Sequence, residues 1–159
     1  MRLRRAEAGD AAQVAEIWND MIRNTAATFT TAEKSAEDLR TLFAARGAAF
    51  LVAEQDGVIL GFATYGAFRN GPGYAHCMEH SVFLAPDAQG QGIGRALMLA
   101  LLNVARDAGV HVMMAGISGE NPGAVAFHTA MGFEERARLP EVGRKFGRWM
   151  DLILMQKMV

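Results

Sequence analysis

Three glycines alternate with other residues in Gln89-Gly90-Gln91-Gly92-Ile93-Gly94-Arg95, between a strand-like run that ends near Leu84 and a helical pattern that runs to Ala108. Glycine lets a backbone take dihedrals that other residues avoid and approach a ligand closely. The helix start behind it offers unpaired N–H groups and a partial positive charge. Such a segment reads either as a phosphate cradle or as a plain tight turn. A dinucleotide fingerprint would need a third Gly where Arg95 stands, and would open a βαβ unit with an acidic residue about 20 positions on. The strands before this loop read as antiparallel instead. A nucleotide-hydrolase phosphate loop is excluded, because the chain has no Gly-Lys-Ser/Thr triplet. What stands here is Q-x-x-G-x-G.

The rest of the chain reads as mixed α+β. Leu3 lies in a short strand, and Asp10 with Gln13 has the spacing of a capping box. Val14, Ile17, Trp18, Met21 and Ile22 then form a buried helical stripe. The Thr-rich stretch from Asn24 reads as a loop, and a second helix from Ser35 carries Leu39, Leu42 and Phe43 and stops near Gly47. Runs at 49–54 and 58–65 flank Gln55-Asp56-Gly57, a hairpin signal. After the broken turn Arg69 to Gly73, a strand is expected over 74–84. A helix over 92–108 has Leu97, Leu101, Val104 and Ala108 on one face and Gly109 as its cap. A strand over 110–117, a short helix capped by Asn121 with Pro122 in first position, and strands near 133–138 and 149–156 complete the order.

Composition removes several classes of function. The 159 residues hold 16 Lys+Arg against 17 Asp+Glu, and a formal net charge of -1 gives no global field for nucleic acid or an acidic membrane. No apolar run approaches bilayer length. The 51% hydrophobic share supports one compact core that buries roughly 70% of the unfolded surface, so a single domain over 1–159 is expected. The lone Cys77 excludes an internal disulfide and a Cys-based zinc site, and suits a reducing, cytoplasmic setting. His76 and His111 have no clustered partner, so no metal is implied.

Gln89, Gly92 and Gly94, with the preceding strand and Leu84-Ala85-Pro86, resemble the acyl-CoA pyrophosphate loop of the GNAT N-acetyltransferases. Asn121, Phe127-His128 and Met131-Gly132-Phe133 resemble a second, later motif of that family, in the right order and spacing. Thr25 to Thr30, Phe68-Arg69, Glu79-His80-Ser81-Val82-Phe83 and Glu141 to Trp149 are similar to its phosphinothricin and methionine sulfoximine acetyltransferase branch. The resemblance covers nearly the whole chain. It implies a mostly antiparallel twisted sheet splayed between two parallel strands, flanked by about four helices, with acetyl-CoA in the splay.

The same resemblance implies roles. Backbone groups of Val82, Phe83 and Leu84 would hold the pantetheine arm and the acetyl carbonyl like an added strand, while their side chains are core. Gly90, Gln91, Gly92, Ile93, Gly94 and Arg95, with Gln89, would take the pyrophosphate, Arg95 through a charge-assisted contact. Asn121 reads as a pantetheine ligand, a helix cap, or both. Ala124 replaces a Ser common in the family, which removes a hydroxyl contact.

Transfer to an amine needs a neutral nitrogen, so a base must take the ammonium proton. Glu79, among apolar strand neighbours that raise a carboxylate pKa, is the candidate, acting directly or through water. His80 is the rival, on the opposite strand face. His128 stands where many relatives place a Tyr that protonates the departing thiolate, and reads as an acid or as a packing residue. Arg69 resembles the branch's carboxylate-binding Arg. Asn70, Gly71, His80, Ser81 and Phe29 complete the expected acceptor site, with Gly71 where a second basic residue is common. Lys145, Phe146 and Trp149 wall the pocket or form a seam of the homodimer that the resemblance suggests. The expected activity is acetyl transfer to a small carboxylate-bearing amine such as methionine sulfoximine or phosphinothricin. The competing readings are another amine acceptor (a polyamine, an antibiotic or a protein N-terminus) and a non-catalytic acyl-CoA sensor.

Overall fold

In the computed structural model, which describes residues 1–159, strand periodicity and helical stripes resolve into two layers of helices around one sheet. The strands are β1 (Arg2–Arg5), β2 (Phe50–Gln55), β3 (Val58–Ala67), β4 (Cys77–Leu84), β5 (Val112–Ser118), β6 (Glu134–Lys145) and β7 (Arg148–Met158). The helices are α1 (Ala11–Asn24), α2 (Ala36–Arg46), α3 (Ile93–Asp107) and α4 (Pro122–Ala130). The sheet order is β1-β2-β3-β4-β5-β7-β6, and every pair is antiparallel except β4 with β5. No helix is long and apolar enough to cross a membrane.

The two faces of the sheet bury different sets. On one, α1 and α2 cover Phe50, Val52 and Phe62, with the Trp18 ring 5.0 Å from that of Phe62. On the other, α3 and α4 cover Ala53, Ala63, Met113, Ala115 and Ile117. Alternation along β4 follows from this. Phe83 packs with the α1 and α2 face, while Met78, Val82 and Leu84 pack with the α3 face, so Glu79 and His80 point to opposite sides.

Local expectations hold at the second helix, where Ser35 and Asp38 cap each other reciprocally. Others shift. Asp10 does not cap α1 through its side chain; it accepts from the Glu7 N–H and holds the Arg4 guanidinium with two bonds of 2.8 Å. Gln13, freed from a cap, ties α1 to the β2–β3 hairpin at Gly57 and Ile59. The buried stripe of α3 runs through Leu97, Met98, Leu101, Leu102 and Ala105, whereas Ala108 is exposed beyond the helix end. β4 begins at Cys77, because Pro72 starts a tight turn through Tyr74. β5 begins at Val112, because the Val110 N–H closes the end of α3 on Ala105. The last two strands are much longer than expected and form one hairpin around Phe146-Gly147, both at positive φ. β6 runs on past the expected end near Arg138 because, as an edge strand, it absorbs Pro140 and Gly143 in a register shift between Leu139 and Gly143.

Candidate active site

The parallel pairing of β4 with β5 covers Cys77↔Val112, Met78↔Met113 and Glu79↔Met114, then stops. Past that point the strands diverge, and the gap between them opens a cleft with backbone groups on both sides. Three adjoining cavities fill this fork. The middle one lies between Val82 on β4 and Ala115 to Ser118 on β5, with Asn121 and His128 at its α4 wall. A larger one of ≈ 470 Å³ runs on past Val82, Phe83 and Leu84 to Gln89, Gly90 and Gly94. The third, ≈ 210 Å³, opens on the α1 side among Thr28, Phe29, Glu79, Ser81 and Gly116.

The glycine loop suits a phosphate. Gly90 and Gly92 have φ of 76° and 77°, and a Cβ at either would meet nothing within 4 Å, so the surface there is open as well as conformationally glycine-dependent. Gly92 caps α3, whose first N–H groups have no acceptor within the helix. Within the loop the side chains divide their roles. Ile93 is core, Gln91 folds back to donate to the Asp87 carbonyl, and the Arg95 guanidinium lies beside the Met131 sulfur. Asn121 Oδ1 accepts the Ala124 N–H and caps α4, which leaves its amide nitrogen without a protein partner.

Glu79 is half-buried, accepts no hydrogen bond and pairs with no cation, so burial alone pushes its carboxyl upward in pKa. Its Oε2 lies where a Cβ on Gly116 would stand, 2.8 Å away. Over this cavity the 25–31 loop is fastened by Lys145, a buried ammonium that donates to the Thr25 and Thr28 carbonyls at 2.7 and 2.8 Å. The Phe29 ring lies directly on Gly143 of β6. Cys77, on the same strand face as Glu79, has its thiol pushed up by burial and by that carboxylate, which disfavours a thiolate.

His80 and His128 meet on the other face, Nε2 to Nε2 at 2.9 Å. His80 Nδ1 lies 3.1 Å from the Met114 carbonyl and His128 Nδ1 2.7 Å from the Ala124 carbonyl. Burial pushes both rings down, His80 to about 3. Three contacts between two rings and two carbonyls need three protons, and two neutral imidazoles carry two. Both nitrogens of the expected proton donor His128 thus face protein partners.

Arg69, Asn70 and Gly71 are not brought to the cavity wall. Their loop stands at the Cys77 end of β4, with the Arg69 guanidinium over the Tyr74 ring. Phe146 and Trp149 are about half exposed on the hairpin and line none of the three cavities. One cation escaped the sequence reading. Arg46 donates to Thr64 and lies over Gly66, the residue paired with Glu79, and it has no acidic partner. A cation at the end of an amphipathic helix reads as solvated surface, and only the lack of side chain at Gly66 draws it in. No group of three His, Cys, Asp or Glu side chains converges as a metal site would need.

Residues 15–133 match the model of the acetyltransferase (GNAT) family. The chain belongs to this family. As a GNAT protein it is an acetyl-CoA-dependent N-acetyltransferase, and its seven-stranded, mostly antiparallel sheet with four helices matches GNAT structures. It is 43% identical over 159 residues to an L-amino acid N-acyltransferase of Escherichia coli, covering 98% of this chain and 92% of the relative. It is 39% identical to an L-methionine sulfoximine/L-methionine sulfone acetyltransferase of Salmonella typhimurium, with 98% and 93% covered. Among solved structures, a phosphinothricin acetyltransferase from Sinorhizobium meliloti in complex with acetyl-CoA superposes with a TM-score of 0.93 at 33% identity, covering 99% of this chain and 88% of that one.

Proposed function

We propose that this GNAT enzyme moves acetyl from acetyl-CoA to the primary amine of a small, carboxylate-bearing amino-acid-like molecule, methionine sulfoximine first and phosphinothricin second, with Glu79 as the general base. The observation that carries this reading is the Glu79 carboxylate, unpartnered and desolvated at the mouth of the fork, beside a cavity sized for a small molecule. The acceptor arrives as an ammonium. Glu79, directly or through one water, takes a proton and frees the nitrogen lone pair. That pair forms the N–C bond to the acetyl carbon, the C–S bond electrons leave on the CoA sulfur, and the second proton shed by the nitrogen reaches that thiolate through solvent. The glycine loop and the first N–H groups of α3 hold the pyrophosphate, and Asn121 uses its free amide nitrogen on the pantetheine arm. Backbone groups of Val82 to Leu84 hold the arm along the strand.

The relatives' substrates support an amino-acid acceptor. Two guanidiniums are assigned to its carboxylate: Arg69, in the loop at the Cys77 end of β4 beyond the cavity wall, and Arg46, on the Glu79 face of the sheet with no acidic partner. The reading includes a homodimer, supported by the exposed Val142, Phe146 and Trp149 on the β6–β7 hairpin.

A CoA-release assay over free amino acids, their sulfoximine and phosphinate analogues, polyamines and peptide N-termini tests it. Methionine sulfoximine should give the largest kcat/KM, and Glu79→Gln should lower it by about 10²–10⁴. Equal rates for the two proteins would remove Glu79 from the mechanism. A polyamine as best substrate would remove the carboxylate-bearing acceptor.

A further inference from the structure

The fork has a defined starting point, and a side chain stands in it. The last rung of the parallel ladder is Glu79↔Met114, and the next residue on β4 is His80. Its ring reaches the Met114 carbonyl on β5 with one nitrogen and His128 on α4 with the other, and His128 in turn reaches the carbonyl of Ala124 one turn back. Both rings are more than nine-tenths buried and lie against Phe133 at 5.3 and 5.2 Å. The chain of contacts thus joins three elements that wall one cavity: β4, β5 and α4. All four ring nitrogens are used, so none remains to meet a ligand.

We propose that His80 and His128 are positioning residues that hold the β4–β5 fork open and fix its width for acyl-CoA. The inference rests on the reading of the fork as the acyl-CoA slot. Strands that begin in register gain a hydrogen bond for each further rung. A buried imidazole bonded to the last-rung carbonyl fills the space into which the next rung would close. The second imidazole then ties that wedge to α4, which carries Asn121 and Ala124 on the opposite wall. Rigid placement by buried side chains in mutual contact is what a slot needs if binding is not to cost the ordering of its own walls.

The test uses the full chain with His80→Phe, His128→Phe, the double variant and His80→Asn. Phe keeps a flat aromatic ring, slightly larger than imidazole, and removes the nitrogens, while Asn keeps a donor near the place of Nδ1. CoA affinity is read by calorimetry without acceptor, and kcat and both KM values by CoA release. We expect the Kd for CoA and the KM for acetyl-CoA to rise about tenfold in each Phe variant, with kcat at saturation held within about twofold. The double variant should be no worse than either single one, because one strut is lost in each case. His80→Asn should recover part of the affinity. Unchanged CoA affinity would overturn the proposal. So would a fall in kcat at unchanged affinity, which is the mark of a proton donor, or failure of both Phe variants and His80→Asn to fold, which would assign the pair to general packing. A wild-type protein that does not bind CoA would overturn the acyl-CoA reading of the fork along with the proposal.

Discussion

Glu79 carries a desolvated charge with no cation to offset it, and that has a sign for stability as well as for catalysis. Its folded pKa is raised above the unfolded value, so between the two the folded state binds more protons and stability falls as pH rises through that window. Above the folded pKa the penalty is complete. Glu79→Gln should therefore melt at a higher temperature than wild type at neutral pH, with the difference vanishing below the ordinary carboxylate range. The rate should rise with pH through the same raised pKa in wild type, and that limb should be missing from the variant's residual activity. Gly116 offers a second handle. A Cβ there would stand 2.8 Å from Glu79 Oε2 and must push it aside. Gly116→Ala should lower kcat/KM by about 10²-fold through a displacement on the ångström scale. Because the obstructing atom is the end of a movable side chain, the melting temperature should stay close to wild type. The position of Glu79 on one strand face and His80 on the other was legible from alternation alone. The partners of each were not, since Gly116 and His128 lie far along the chain.

The 25–31 loop and the β6–β7 hairpin depend on each other more than either local pattern suggests. Lys145 spends its ammonium on two loop carbonyls with no carboxylate nearby, and burial pushes its pKa down accordingly. Lys145→Met keeps much of the stem's packing but leaves both carbonyls short of a donor. A loss of about 2–4 kcal/mol in unfolding free energy is expected, together with a rise in acceptor KM that acetyl-CoA KM does not share. Urea denaturation and initial-rate kinetics read the two effects separately. The Thr-rich composition of the loop was visible as a break in helical periodicity. Its fastening was not, because Lys145 and Thr25 stand 120 positions apart. The hairpin itself was half legible. Trp149 to Gln156 showed strand character, while Pro140 and Gly143 hid the continuation of β6, since a breaker at a sheet edge carries no ladder cost that its local sequence can display.

For the molecule as a whole, near-zero net charge and an anionic co-substrate are compatible, because N–H groups at a helix start can hold phosphate without a basic field. Acetyl-CoA at about 100 times its Kd should add about 2.7 kcal/mol and raise the melting temperature by roughly 5–10 °C. Gly92→Ala, which forces positive φ on an L residue, should lower both the stability and that ligand-induced shift. The exposed Val142, Phe146 and Trp149 lead to an expected mass of two protomers by light scattering. Trp149→Lys combined with Val142→Lys should return the monomer with its fold intact by circular dichroism.

The order of helices and strands, the glycine loop before α3, the cap at Ser35 and the faces of β4 were determined by the sequence itself. Each rests on neighbours within a few residues, where periodicity, capping and glycine freedom act. Only the tertiary structure decided that His80 meets His128, that Arg46 lies over the row containing Glu79, and that Arg69 stands away from the cavity in this chain. Those outcomes depend on which strands lie side by side and where they part. Burial and hydrogen bonding select among side chains brought together from distant positions, and no local pattern records that selection.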